Sequence, residues 1–414
     1  MAWSTELLQR CPSQKRMAQR LRRCWRACAS SALLVVVSTT VGCGSSSSSS
    51  TGNMRAGSRC VGRYLGWCSD SWSKTYRGTL RESGFDRFVA SCLDDESGFY
   101  KRGATRIPGK YAWYCTSRDR YLELPERTRP LTVSGFYLVP RTKDLVAQAS
   151  WGHGAFSSQV QFDSSFYPLA DGECYVDFAD PRVGGGVFKN GLAQEEKMFL
   201  QLPELLIVIG ERSKNNRPLY LSSGNDGLFR NSDVIVFQDV VRPVPALPKD
   251  KDLECGRAPL SAWPCQVYTK QASLASAFVT VVAVNAQEFH NNGFYSPTEF
   301  DFLLRKVFGA FAAAKSAGCS SLNSGPLGAG VFNGNLHLTV LLHAAMSIAF
   351  AMPVKMWGLR SPSQEVSTIV DWIEQGGPLP MGVVLQKLER GTSWGHGGSM
   401  KETVKLDKVR WDAS

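Results

Sequence analysis

Histidine is scarce in this chain, five residues in 414, and none of its twelve cysteines stands in a Cys-x-x-Cys pair. Since His153, His290, His337, His343 and His396 lie away from any cysteine pair, no zinc site is expected, and no other metal or cofactor. There is no Gly-x-Ser-x-Gly elbow and no phosphate loop with its lysine. The apolar run "SALLVVVSTTV" is too short to span a bilayer. Past residue 30 no basic run is interleaved with aromatics. The net charge of +11 sits mostly in residues 1–30, where seven Lys or Arg face one acid, Glu6, a net +6. Only +5 is left for the other 384 residues, so no nucleic-acid partner is expected.

What is present is a globular composition, 43% hydrophobic and 11% aromatic, enough for one sizeable core with additions or two modest domains. Residues 1–43 read as a targeting leader: a basic segment from Met17, an apolar stretch, then a small residue before Cys43. On this reading the protein is exported and lipid-anchored at Cys43; the alternative is an intracellular protein with a basic tail. Residues 44–58 are a serine-rich linker. Residues 59–145 form an N-terminal accessory region of short strands and loops, 146–355 the main domain, and 356–414 a C-terminal extension. Eight cysteines follow Cys43. An even number suits an oxidising compartment, and the pairing stays open among 105 arrangements. "SWGHG" occurs at Ser150 to Gly154 and again at Ser393 to Gly397, a repeat that turn chemistry or coincidence accounts for.

In the main domain strand-like runs such as "CYVDFAD", "LLIVIG" and "SAFVTVVAVNA" alternate with helical patterns, which predicts an α/β layered fold. The clearest helix begins at Pro297: Phe300, Leu303, Leu304, Val307, Phe308 and Phe311 recur at three and four residues, and Gly318 marks its end. His337 and His343 lie six apart on another predicted helix and do not share a face. At "DPRVGGGVFKNGLAQEE" a strand runs into three glycines, Gly184, Gly185 and Gly186, and a helix begins near Gln194, Glu195 and Glu196. Glycine lets the backbone approach a ligand, and a helix start favours anions. Adjacent glutamates diverge by about 100° around a helix, so one can hold a sugar while the other moves a proton. By themselves these residues equally describe a flexible turn with acids complementing a helix dipole.

The 31 residues "VDFADPRVGGGVFKNGLAQEEKMFLQLPELL" resemble the catalytic signature of the poly(ADP-ribose) glycohydrolase family, in which QEE follows GGG after six to eight residues; here the gap is seven. "TVVAVNAQEF", the helix from Pro297, and "LGAGVFNGNLHLTVLLHAAMSIA" are similar to that family's later blocks in the same order. The resemblance implies a macrodomain-like three-layer α/β/α fold with a mixed central sheet, extended at its N-terminus by strands and loops. It implies a monomeric hydrolase, without cofactor, acting on poly(ADP-ribose) or ADP-ribosylated protein. Carried over by residue, Glu196 is the catalytic acid and base, Glu195 fixes the ribose hydroxyls, and Asp177 lines the same ribose. Gln194 and Asp180 join the substrate site. Gly184, Gly185 and Gly186 meet the diphosphate and distal ribose, while Gly328, Gly330, Val331, Asn333 and Gly334 cradle the diphosphate from the other side and Phe332 packs on the ribose.

Four departures bear on activity. The family's "DFAN" is "DFAD" here, its "GGD" is "NGN" at Asn333 to Asn335, and its strand-ending "DA" is "NA" at Asn285. Its Gly-Tyr loop is replaced by residues 222–233, with Phe229 the one aromatic candidate. A binding module that reads ADP-ribose without cutting it is therefore the competing expectation.

Overall fold

Alternating apolar residues that serve two opposite faces dictate a sheet buried on both sides. In the strand Cys174–Ala179, Cys174 and Val176 join one hydrophobic cluster while Tyr175 and Ala179 join the other. The computed structural model describes residues 68–77, 121, 124, 129–138, 142–184, 187, 193–214, 219–222, 232–243, 277–286, 288, 294–329, 332–390 and 394. The leader, Cys43, the serine linker, Gly185, Gly186, Phe229, Gly330, Val331 and all of the second "SWGHG" except Trp394 lie outside the described residues.

The strands are β1 (Cys68–Tyr76), β2 (Leu131–Leu138), β3 (Ser150–Trp151), β4 (Val160–Asp163), β5 (Cys174–Ala179), β6 (Val234–Arg242), β7 (Ala277–Asn285), β8 (Leu322–Ser324), β9 (Val354–Trp357) and β10 (Leu379–Pro380). Eight of them form one sheet in the order β1-β2-β6-β7-β5-β8-β9-β4, and β3 pairs with β10 apart from it. From β7 to β4 the neighbours are parallel, while the β1, β2 and β6 pairings are antiparallel. The sheet is mixed, as expected, and the N-terminal strand-rich region extends it by β1 and β2.

Helices α1 (Thr142–Val146), α2 (Ala155–Gln159), α5 (Pro297–Ser316), α6 (Leu336–Phe350), α7 (Gln364–Gln375) and α8 (Met381–Arg390) bury apolar residues in one cluster. On the opposite face α3 (Gln194–Gln201) and α4 (Pro203–Lys214) pack into the second. The result is a three-layer α/β/α fold, and α7 and α8 of the C-terminal stretch share the main core. Helix α5 starts as expected: Ser296 and Glu299 cap each other's backbone amides and Gly318, at φ +85°, ends it. "LLIVIG" differs from its strand reading. It lies inside α4, where a run of buried residues follows Glu204, whose carboxylate accepts bonds from Tyr121 and from the Val241 amide beside a bulge in β6. Short apolar runs do not distinguish a buried helix from a buried strand. No described helix is long and apolar enough to cross a membrane.

Candidate active site

Parallel strands end together, so the loops following β4, β5, β8 and β9 gather at one edge of the sheet, where α/β folds place ligands. A cavity of about 230 Å³ opens there. Its walls come from Ser165, Phe166 and Tyr167 after β4, Phe178 at the end of β5, Ala193 and Gln194 at the start of α3, Gly325, Pro326, Gly328, Ala329 and Phe332 after β8, Trp357 at the end of β9 and Gly358 just after it. Five of these residues are aromatic, and the walls are mostly apolar. Pockets for whole drug-sized ligands run to about 300–1,000 Å³; this one fits one flat end of a larger molecule.

Beside the cavity the two glutamates of α3 diverge as their helical spacing requires. The Glu195 carboxylate, almost fully buried, accepts the Gly184 amide at 2.7 Å and the Asp180 amide at 3.2 Å. That explains the glycine at position 184. Its φ is +77°, and a Cβ there would stand 2.9 Å from Ile209 Cδ1 and 3.2 Å from Phe199 Cε1, so only glycine turns the loop back over the carboxylate. Glu196 points elsewhere: its Oε2 accepts the Ala193 amide at 3.2 Å. Ala193, at the N-cap, has no side-chain acceptor of its own.

Asp177 on β5 is fully buried, and both its carboxylate oxygens lack a hydrogen-bond partner among the described residues. Burial pushes its carboxyl up to about 8. Burial also holds Glu195 well above the ordinary carboxylate range, reinforced by the nearby Asp177 and opposed by the two amides. Burial and their mutual repulsion together oppose ionisation of both carboxyls at once.

The structure brings Asp177, Asp180, Gly184, Gln194, Glu195 and Glu196 together but gives several of them unexpected work. The Gly184 amide, expected to meet a diphosphate, is directed at Glu195. Gln194 spans the open edge of β5, its Nε2 donating to Val176 O and its Oε1 accepting from the Phe178 amide, both at 2.9 Å. Asp180 closes on the Arg182 amide at 2.9 Å. In the second loop Gly328 and Asn333 have φ +71° and +61°, and the Gly334 amide donates to Gly328 O at 2.8 Å. A Cβ on Gly334 would meet that oxygen at 2.7 Å. Asn335 caps α6 through the Leu338 amide, and Tyr295 Oη accepts from the Asn335 amide. Phe332 lines the cavity wall. The cavity aromatics that sequence reading missed are Phe166, Tyr167, Phe178 and Trp357; for Phe166 and Tyr167, adjacent aromatics just after a strand were the signal. Among the described residues no group of acids, histidines and cysteines is arranged to hold a metal.

No protein-family model matches the chain, and no curated protein matches it. Among solved structures it is similar to the poly(ADP-ribose) glycohydrolase from Thermomonospora curvata, 12% identical with a TM-score of 0.35, covering 68% of this chain and 98% of that one. It is also similar to the poly(ADP-ribose) glycohydrolase from Deinococcus radiodurans in complex with ADP-ribose, 14% identical with a TM-score of 0.29, covering 57% and 93%. A macrodomain from Oceanobacillus iheyensis is 13% identical with a TM-score of 0.30, covering 54% and 95%. At these values the likeness is one of outline and carries no argument about chemistry, which has to come from the carboxylates, the glycine loop and the aromatic cavity themselves.

Proposed function

We propose that the protein is an ADP-ribosyl glycohydrolase, cleaving the ribose-ribose bond of poly(ADP-ribose) or the bond from ADP-ribose to protein. The observation that carries this reading is the division of labour at α3, where the glycine loop locks Glu195 while Glu196, one residue on, turns a different way. In this reading the flat adenine end enters the aromatic cavity, the diphosphate lies along residues 328–335, and the ribose comes against Glu195. Glu196 protonates the departing glycosidic oxygen as the carbon–oxygen bond breaks. Its carboxylate then takes a proton from the water that adds to the anomeric carbon. The buried setting of Asp177 and Glu195 gives the positive charge developing on the sugar a low-dielectric neighbour of opposite sign once one of them ionises.

A second reading, binding without cleavage, has one observation in its favour: the Glu196 carboxylate already holds its own helix start at Ala193. Incubating the full chain with labelled poly(ADP-ribose) and with mono-ADP-ribosylated protein separates the two. Glycohydrolysis predicts ADP-ribose release that falls by about 10²- to 10⁴-fold in Glu196→Gln, with ADP-ribose affinity by calorimetry nearly unchanged. Binding without release in the wild type would establish the second reading instead.

The same proposal has the protein exported, monomeric and lipid-anchored at Cys43. Support comes from the leader and from a disulfide joining Cys174 to Cys319, which suits an oxidising compartment. Membrane fractionation of wild type and Cys43→Ser tests it; identical soluble partition of both would remove the anchor.

A further inference from the structure

Lysine is almost never buried without a reason, yet Lys306 on α5 is 1% exposed. The Asp233 carboxylate is 3.9 Å away and is also engaged by other donors. Arg305 donates to both Asp233 oxygens, at 3.2 and 2.7 Å, and the Leu138 amide donates at 2.8 Å. The Lys306 ammonium lies 4.8 Å from the Phe302 ring centroid and donates to the backbone oxygen of Ser222 at 2.8 Å. Asn285, at the end of β7, donates its Nδ2 to the same oxygen at 3.2 Å. Two side chains from different elements thus converge on one carbonyl. The Ser222 amide is held too, donating to Ser232 O at 2.8 Å.

Residues 219–222 run beside the glycine loop. The Leu221 amide donates to Pro181 O at 2.8 Å, the Val183 amide to Leu219 O at 3.2 Å, and Arg182 bridges to Tyr220. Residues 180 and 184, on either side of that ladder, supply the two amides that hold Glu195. A buried ammonium fixed to Ser222 therefore fixes the ladder, and the ladder fixes the glycine loop.

We infer that Lys306, assisted by Asn285, is a positioning residue: it sets the Asp180 and Gly184 amides at Glu195 by anchoring residues 219–222. Its catalytic consequence rests on the glycohydrolase reading, whereas the anchoring itself does not. Lys306→Met keeps the aliphatic stem and removes the donor. Asn285→Ala removes the weaker donor together with an oxygen that has no partner among the described residues. Amide exchange on the full chain, followed by mass spectrometry, is the direct test. Lys306→Met is expected to exchange at least tenfold faster across residues 180–184, with β5 unchanged, and Asn285→Ala to change in the same direction by less. In the activity assay Lys306→Met is expected to lose about 10- to 100-fold in kcat with KM within about threefold, because displacement by an ångström at a reacting centre costs on that order. Should Lys306→Met fail to fold, Asn285→Ala carries the test alone. Unchanged exchange at residues 180–184 in a folded variant would overturn the anchoring, whatever the enzyme does. A wild type that releases no ADP-ribose, beside faster exchange in the variants, would leave the anchoring standing and remove the glycohydrolase.

Discussion

Asp177 has no hydrogen bond among the described residues to offset its burial, and that has a measurable sign. Its folded value, about 8, lies above the 3.8 of an unperturbed aspartate, so between these pH values the folded protein keeps a proton that the unfolded chain releases. Stability from this group is present at low pH and lost as pH rises through that window. Asp177→Asn should remove the loss: urea melts of variant and wild type are expected to differ little at pH 5, with the variant the more stable by a few kcal/mol at pH 8. Equal differences at both values would mean that the carboxyl is ordinary. Gly184 makes the complementary case. Gly184→Ala brings both a positive φ and a contact with Ile209, and should cost roughly 1–3 kcal/mol, read in the same melts. The identities of Asp177, Glu195, Glu196 and Gly184 were legible in the sequence because motif and resemblance name residues. Their partners were not, since no pattern reveals that a glycine amide expected at a phosphate will turn inward to a glutamate.

Among the elements, α3 shows how a helix start and a strand edge are fitted to each other. β8 reaches β5 at one pair, Tyr175 with Asn323. Past that pair Gln194 takes over with two backbone bonds. Gln194→Leu would strip both and bury an amide and a carbonyl unpaired, at about 1–3 kcal/mol; chemical denaturation should show it, with faster amide exchange at Phe178. Helix α5 could be read from sequence almost to the residue because its period, the proline at its start and its terminal glycine agree. Helix α4 could not, because "LLIVIG" is apolar on every side and its burial comes from the sheet above it. The cavity's aromatics come from the ends of β5 and β9 and from the loops after β4 and β8, so their meeting depends on strand order, which periodicity does not carry.

For the molecule as a whole, a mixed sheet between helices was expected, while the way its parts are tied was not. Cys174, at the start of β5, is joined to Cys319, ahead of β8, across a sequence separation of 145 residues. A loop of that length corresponds to about 5 kcal/mol in the chain-entropy account, an upper figure for the loss on reduction. Dithiothreitol, or Cys174→Ala with Cys319→Ala, should lower the melting temperature markedly; an unchanged melt would show that this bond contributes nothing to the folded state. The fold class followed from alternation of strand and helix patterns. The pairing did not, because choosing two among eight downstream cysteines needs the strand order first.

That bond lies where the sheet is thinnest. Between β5 and β9 the continuity of eight strands rests on a three-residue strand, and one end of the seam is stitched by sulfur while Asn323 laces it further along, donating to Cys174 O and accepting from Trp357 Nε1. The cavity straddles the same line, with Phe178 on one bank and Trp357 on the other. Separation along this shortest strand would part the two walls of the cavity. Reducing the Cys174–Cys319 bond is therefore expected to loosen the two banks against each other, which amide exchange at Phe178 and Trp357 before and after dithiothreitol would read.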